Sequence, residues 1–190
     1  MQGDRQRALV IAETAAFIGL IAIGSWISVP FLPVPLTLQT MFVLLAAMVM
    51  KRYAVIPAVL FILFGVLNLP VFHNGTSGIG VLLGPTGGYL VGFIPAAFVA
   101  GLAYEKRSLA WNITGICAAE AFIYVFGAGW LSLSTGMTLL QATIIGVLPF
   151  LPGDAVKAYA AHAIAKRIPL HEIHEMVPGG DGISGGEKRS

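Results

Sequence analysis

The chain is 190 residues long, 57% hydrophobic and 11% charged, with a mean hydropathy of +0.85. A soluble domain needs a polar exterior around its core, so this composition excludes one and points to lipid as the solvent. The net charge of +2 is too small to indicate nucleic acid, and the lone Cys117 excludes an intrachain disulfide framework.

The pattern predicts an all-α integral membrane protein with six transmembrane helices, at 8–27, 36–50, 53–67, 86–104, 109–129 and 152–167. The first run, Ala8 to Ile27, has about the ~20 residues needed to cross a bilayer core. It is too long for a signal-peptide core, and Pro30, Pro33 and Pro35 follow it without a small-residue cleavage pattern. Along it Ala8, Ala12 and Ala16 form a small-xxx-small stripe with Glu13 beside it, and both a docking face and internal packing fit such a stripe. The second and third runs, of about fifteen residues each, are short for a crossing, yet Lys51 and Arg52 between them need an aqueous interface, which favours two separate helices. Glu120 falls half-way along the fifth span, where it is protonated, paired or lining a cavity. The run Thr138 to Leu148 is too short to cross and predicts a helix at the outer surface. Residues 1–168 form the membrane domain, and 169–190, with Gly179, Gly180, Gly185 and Gly186, read as a flexible cytoplasmic tail.

Basic residues orient the spans. Arg5, Arg7, Lys51, Arg52, Lys106, Arg107, Lys166, Arg167, Lys188 and Arg189, ten of the eleven, fall on one side of a six-span arrangement, which is cytoplasmic by the positive-inside rule. Both termini are then cytoplasmic, in a multi-pass protein of the cell membrane.

The eleventh is Lys157, inside the last span. Proline suits a helix's first turn and Asp154 there faces the positive end of the macrodipole, so Pro152-Gly153-Asp154 alone is ordinary helix initiation. A cation one turn in opposes the dipole and needs an anionic partner, which Asp154 supplies from three residues earlier on the same face. A structural ion pair and a ligand-binding pair both fit, and ionisable groups at membrane depth favour the second. Two further segments depart from lipid-facing composition, Val34 to Thr40 and Asn68 to Tyr89, and each lies with 151–157 at the outer end of an even-numbered span. All three can therefore meet in one outward-facing pocket. Gln39, one turn into the second span, must face a ligand or another helix. The glycines of Leu83-Gly-Pro-Thr-Gly-Gly-Tyr89, Gly87 among them, allow close backbone approach while Thr86 and Tyr89 bring hydroxyls; tight helix packing fits the same glycines. The loop before it carries Asn74, as a lid over a pocket or a plain solvated loop would.

Catalysis is not indicated. The GxxxxGK[ST] phosphate loop is absent, His171-Glu-Ile-His-Glu175 lacks the HExxH spacing of a zinc site, and no nucleophile-base set is visible, so no catalytic residue, metal or cofactor is expected.

The strings VPLTLQTMFVLLAAM, LPVFHNGTSGIGVLLGPTGGYLVGF, IYVFGAGWL and LPFLPGDAVKA resemble the BioY family, the biotin-binding substrate components of energy-coupling factor (ECF) transporters, over about residues 8–167. GPTGGY together with PGD and a lysine three residues on is the most specific part. The resemblance implies a six-helix subunit that captures biotin from outside, with Asp154 and Lys157 at the biotin pocket, Asn74 as the long loop's ligand-binding asparagine, and the stripe Ala8, Ala12, Ala16 docking on a transmembrane coupling protein that carries two ATPases. His73, where a small residue is expected, and Glu120 depart from the family pattern. A solitary or ion-coupled vitamin transporter using Asp154, Lys157 and Glu120 as a relay is the competing reading.

Overall fold

The computed structural model describes residues 2–30, 33–106 and 108–168, and it is predominantly helical. The glycine-rich tail and the HEIHE string lie outside the described residues. Helix α1 (Gln2–Trp26) leads into a two-stranded antiparallel ribbon, β1 (Ser28–Val29) with β2 (Leu36–Thr37), paired Ser28 to Thr37 and Val29 to Leu36. Then follow α2 (Gln39–Met50), a 3-10 turn at Lys51–Ala54, α3 (Val55–Val66), a second 3-10 turn at His73–Gly75 and the short α4 (Ile79–Leu83). The chain closes with α5 (Gly87–Glu105), α6 (Leu109–Thr135), α7 (Leu139–Gly146) and α8 (Leu151–Ala165).

By length and apolarity the described residues hold four stretches able to cross a membrane, Arg7–Trp26, Gln39–Val66, Gly87–Glu105 and Leu109–Thr135. A fifth is added if α7 and α8, bent by 52°, count as one. The difference from the predicted six arises at two places. Helices α2 and α3, read from the sequence as separate spans, have 12 residues each and follow one another through the 3-10 turn as a 28-residue stretch. At 1.5 Å per residue each is about 18 Å long, short of the ~30 Å hydrocarbon core. Helix α8 likewise has 15 residues and counts as a span only together with α7.

The break between α2 and α3 is built in. Lys51 has φ 57°, a left-handed value that ends α2, and Gly101 of α5 lies so close that a Cβ there would collide with the Lys51 carbonyl. Arg52 then grips Glu105 at the end of α5 as a two-pronged pair, Nε to Oε1 at 2.7 Å and Nη2 to Oε2 at 2.6 Å. Tyr104 and His162 Nδ1, 2.7 Å apart, tie α8 to the same end. The basic residues Lys51, Arg52, Lys106 and Lys166 thus gather at one pole.

Beyond Gln39 and Thr40 helix α2 is apolar all round and accordingly central, between α1, α5 and α8, with Val43, Leu44, Ala46, Ala47 and Met48 at 1% exposure or less. Small residues bring α5 and α6 together: a Cβ on Gly88 would strike the Phe126 carbonyl, and one on Gly92 would stand 3.0 Å from Ile123 Cα. Outward positions such as Ile11, Leu63, Val125 and Leu133 are apolar and exposed, as lipid requires.

Candidate functional site

The pole opposite the basic residues is held by cross-links between loops and helix ends. Ser25 donates to the Val71 carbonyl (2.6 Å), Trp26 Nε1 to that of Pro70 (3.0 Å), and Trp130 Nε1 to that of Gly84 (3.0 Å). Gly136, at φ 73°, ends α6, and a reciprocal cap between Thr138 and Gln141 starts α7 at once, so the chain doubles back over this pole.

Beneath the cross-links lies a cavity of about 520 Å³, its open mouth included. The segments singled out by composition converge on it: Val34, Pro35, Thr37, Gln39 and Thr40 from the ribbon and α2; His73, Thr86 and Tyr89; Asp154 and Lys157. Leu90, Phe93, Ile123 and Phe150 supply apolar wall.

Asp154 is the hub. It stands in the first turn of α8, after Pro152, and is 3% exposed. Its Oδ1 accepts from Lys157 Nζ at 2.8 Å and from Thr40 Oγ1 at 3.1 Å, while Oδ2 accepts from Tyr124 Oη at 2.6 Å. Three helices, α2, α6 and α8, thereby meet on one carboxylate. A carboxylate offers about four lone-pair directions, so about one remains for an N–H donor in the cavity. Lys157, its side chain 13% exposed, spends one of three N–H donors on Asp154.

The other predicted residues divide. Gln39 is 6% exposed; its Oε1 accepts from Thr37 at 3.2 Å, and its Nε2 is buried without a hydrogen-bond partner among the described residues. Thr86 and Tyr89 line the cavity, but the Tyr89 hydroxyl is spent on the Gly146 carbonyl (2.8 Å), so Tyr89 presents its ring, stacked on Phe150 at 6.4 Å. Gly87 is not in the lining; it starts α5 where a Cβ would collide with the Leu82 carbonyl. Asn74 is not in the lining either. At φ 54° it accepts from Ser28 Oγ at 2.7 Å, latching the loop to the ribbon. Ala8, Ala12 and Ala16 are all exposed on α1, and Gly19, one turn on, has open space before it. Glu120 is not in the lining, and both its oxygens are buried without a hydrogen-bond partner among the described residues.

Sequence reasoning did not single out Thr40 and Tyr124 as site residues. Tyr124 left a signal, a hydroxyl at membrane depth that must find an acceptor, but only the fold says which.

A family model described as the BioY family matches residues 3–172. The biotin transporter BioY of Thermotoga maritima is 41% identical over 165 residues, covering 86% of this chain and 97% of the relative. The probable biotin transporter BioY of Pyrococcus horikoshii is 39% identical over 163 residues, covering 85% and 97%. Among solved structures, the S-component for biotin from an ECF-type ABC transporter superposes with a TM-score of 0.77 at 29% identity, covering 86% of this chain and 92% of that one.

Proposed function

The chain belongs to the BioY family, and from that premise we propose that it is the membrane substrate-binding subunit that captures biotin at the outer face of the cell membrane for uptake by an ECF-type transporter. The observation that carries the reading is the Asp154–Lys157 pair, hydrogen-bonded and buried in a cavity whose wall includes Leu90, Phe93, Ile123 and Phe150. Biotin has a fused ureido ring with N–H donors and one carbonyl, an apolar thioether ring and an anionic valerate. The free acceptor direction of Asp154 takes a ureido N–H, a spare Lys157 N–H takes the ureido carbonyl, and Leu90, Phe93, Ile123 and Phe150 enclose the thioether ring. Thr40 and Tyr124 aim the carboxylate, and Asn74 holds the loop that closes the mouth. Thr86 and the Tyr89 ring complete the wall.

In this reading the subunit has six membrane helices with both termini inside; the gathering of basic residues at the pole away from the cavity supports that orientation. Binding is noncovalent. The energy for release comes from two ATPases acting through a transmembrane coupling protein, which docks on the exposed stripe Ala8, Ala12, Ala16. Uptake at wild-type rate in cells lacking those subunits would instead favour a solitary transporter.

The test is titration of the purified full-length protein with biotin, desthiobiotin, thiamine and riboflavin. Saturable biotin binding that the other two vitamins do not compete for is expected. Equal binding of thiamine or riboflavin, or none of biotin, refutes the assignment.

A further inference from the structure

Among the cavity-lining residues, two side-chain atoms are buried without a hydrogen-bond partner among the described residues: Gln39 Nε2 and His73 Nδ1. Buried polar atoms are ordinarily paired, and leaving one bare is unfavourable unless a partner arrives. The oxygens of Asp154, by contrast, are engaged by Thr40, Tyr124 and Lys157. The cavity lining therefore carries two sets of polar groups of different chemistry. One is the ion pair with its hydroxyl donors on α2, α6 and α8; the other is a pair of unsatisfied nitrogens, on the loop between α3 and α4 and at the start of α2.

The loop holds His73 firmly. Phe72 beside it is fully buried, edge-on to Phe61 with ring centroids 5.5 Å apart. The Phe72 amide donates to the Thr76 carbonyl (3.1 Å), the Gly75 amide to that of Phe72 (3.1 Å), and Thr76 Oγ1 to the carbonyl of His73 itself (2.8 Å). On the far side Asn74 is latched to Ser28. A cavity-lining residue anchored on both flanks, with one ring nitrogen buried and unpaired among the described residues, is placed to meet what enters the cavity. Burial lowers the proton affinity of His73 below the usual imidazole value, so at neutral pH it is an uncharged ring with one N–H.

We propose that His73 is a specificity-determining residue that reads the acidic end of the ligand: in its Nδ1–H tautomer it donates, together with Gln39 Nε2, to the ligand's carboxylate. This rests on the reading of biotin as the ligand. Biotin's only N–H donors are in its ureido ring, so Asp154, which can only accept, selects that end. The carboxylate only accepts, is repelled by Asp154, and requires donors elsewhere; the two bare nitrogens supply them.

The test compares biotin with its methyl ester, which keeps the ring system and loses the anionic oxygen, by titration of full-length protein in detergent. The wild type should bind biotin about tenfold or more tighter than the ester, as a hydrogen bond to a charged group implies. His73→Phe, which keeps a ring and removes the nitrogen, should weaken biotin but not the ester, so that the ratio collapses toward one. His73→Asn, whose amide nitrogen reaches the position of Nδ1, should retain most of the ratio. If His73→Phe does not fold, His73→Ala carries the same readout. An unchanged ratio in the variant without a nitrogen, or a wild type that does not distinguish acid from ester, overturns the assignment to His73 while leaving biotin capture standing. A wild type that binds neither compound overturns the biotin reading and this inference with it.

Discussion

Replacing Asp154 by asparagine tests the site at its hub. The two side chains have nearly the same shape, so the change is chemical. Asp154 accepts three hydrogen bonds, from Thr40, Tyr124 and Lys157. The amide has one carbonyl oxygen with about two lone-pair directions, and its nitrogen donates. Three donors then compete for about two acceptor directions, and none remains for a ureido N–H. The ligand loses a hydrogen bond to a charged acceptor, about 1.5–3 kcal/mol, or roughly ten- to 150-fold in affinity. Stability falls as well, because the Lys157 ammonium, 13% exposed, loses its counter-charge. Removing one partner of a buried pair costs about 3–5 kcal/mol, and the low end applies because the amide oxygen still accepts from Lys157. Calorimetric titration with biotin and thermal unfolding in the same detergent measure the two losses. The double variant Asp154→Asn/Lys157→Met, which removes the orphaned cation, should recover stability but not binding. Asp154→Asn binding biotin within about threefold of wild type would refute the hydrogen-bond count.

Gly127→Ala should lower the unfolding midpoint, since a Cβ there would collide with the Tyr89 ring; overpacking of this kind costs about 1–3 kcal/mol, and an unchanged midpoint refutes the tight seating of Tyr89. Glu120→Gln should leave the midpoint equal or higher, because the carboxylate is buried without a hydrogen-bond partner among the described residues. A fall would reveal a partner that the carboxylate alone satisfies. Ala12→Trp, on the exposed face of α1, should leave biotin titration unchanged while abolishing uptake in cells that supply the coupling subunits. Parallel loss of binding and uptake refutes the docking face.

The site's parts were unevenly visible before folding. Lys157 stood out because a cation in an apolar run, opposing its own helix dipole, demands an explanation, and Asp154 followed from helical spacing alone. Gln39 was conspicuous for the same reason, a polar group where lipid offers no partner. Thr40 and Tyr124 were not conspicuous, because hydroxyls are small and common enough in apolar helices to pass as packing. Asn74, expected at the ligand, accepts a hydrogen bond from Ser28, and Tyr89, expected to offer its hydroxyl, donates it to the Gly146 carbonyl. Polar type identifies a group that needs a partner; only its neighbours in space decide which partner it has.

The same division holds for the chain as a whole. The sequence by itself determined the solvent, the helical class, the pole at which basic residues collect and the three segments that gather at the other, because hydropathy and charge act through composition and short-range period. It predicted six crossing helices, where the described residues hold four stretches able to cross by length and apolarity, or five if α7 and α8 count as one. Whether α2 and α3 are two spans or one broken stretch depends on the left-handed backbone at Lys51 and on Gly101 admitting it, contacts made by residues fifty positions apart. The convergence of α2, α6 and α8 on one carboxylate was likewise decided by tertiary structure. Thr40 and Asp154 lie 114 residues apart in the chain, and no local preference spans that distance.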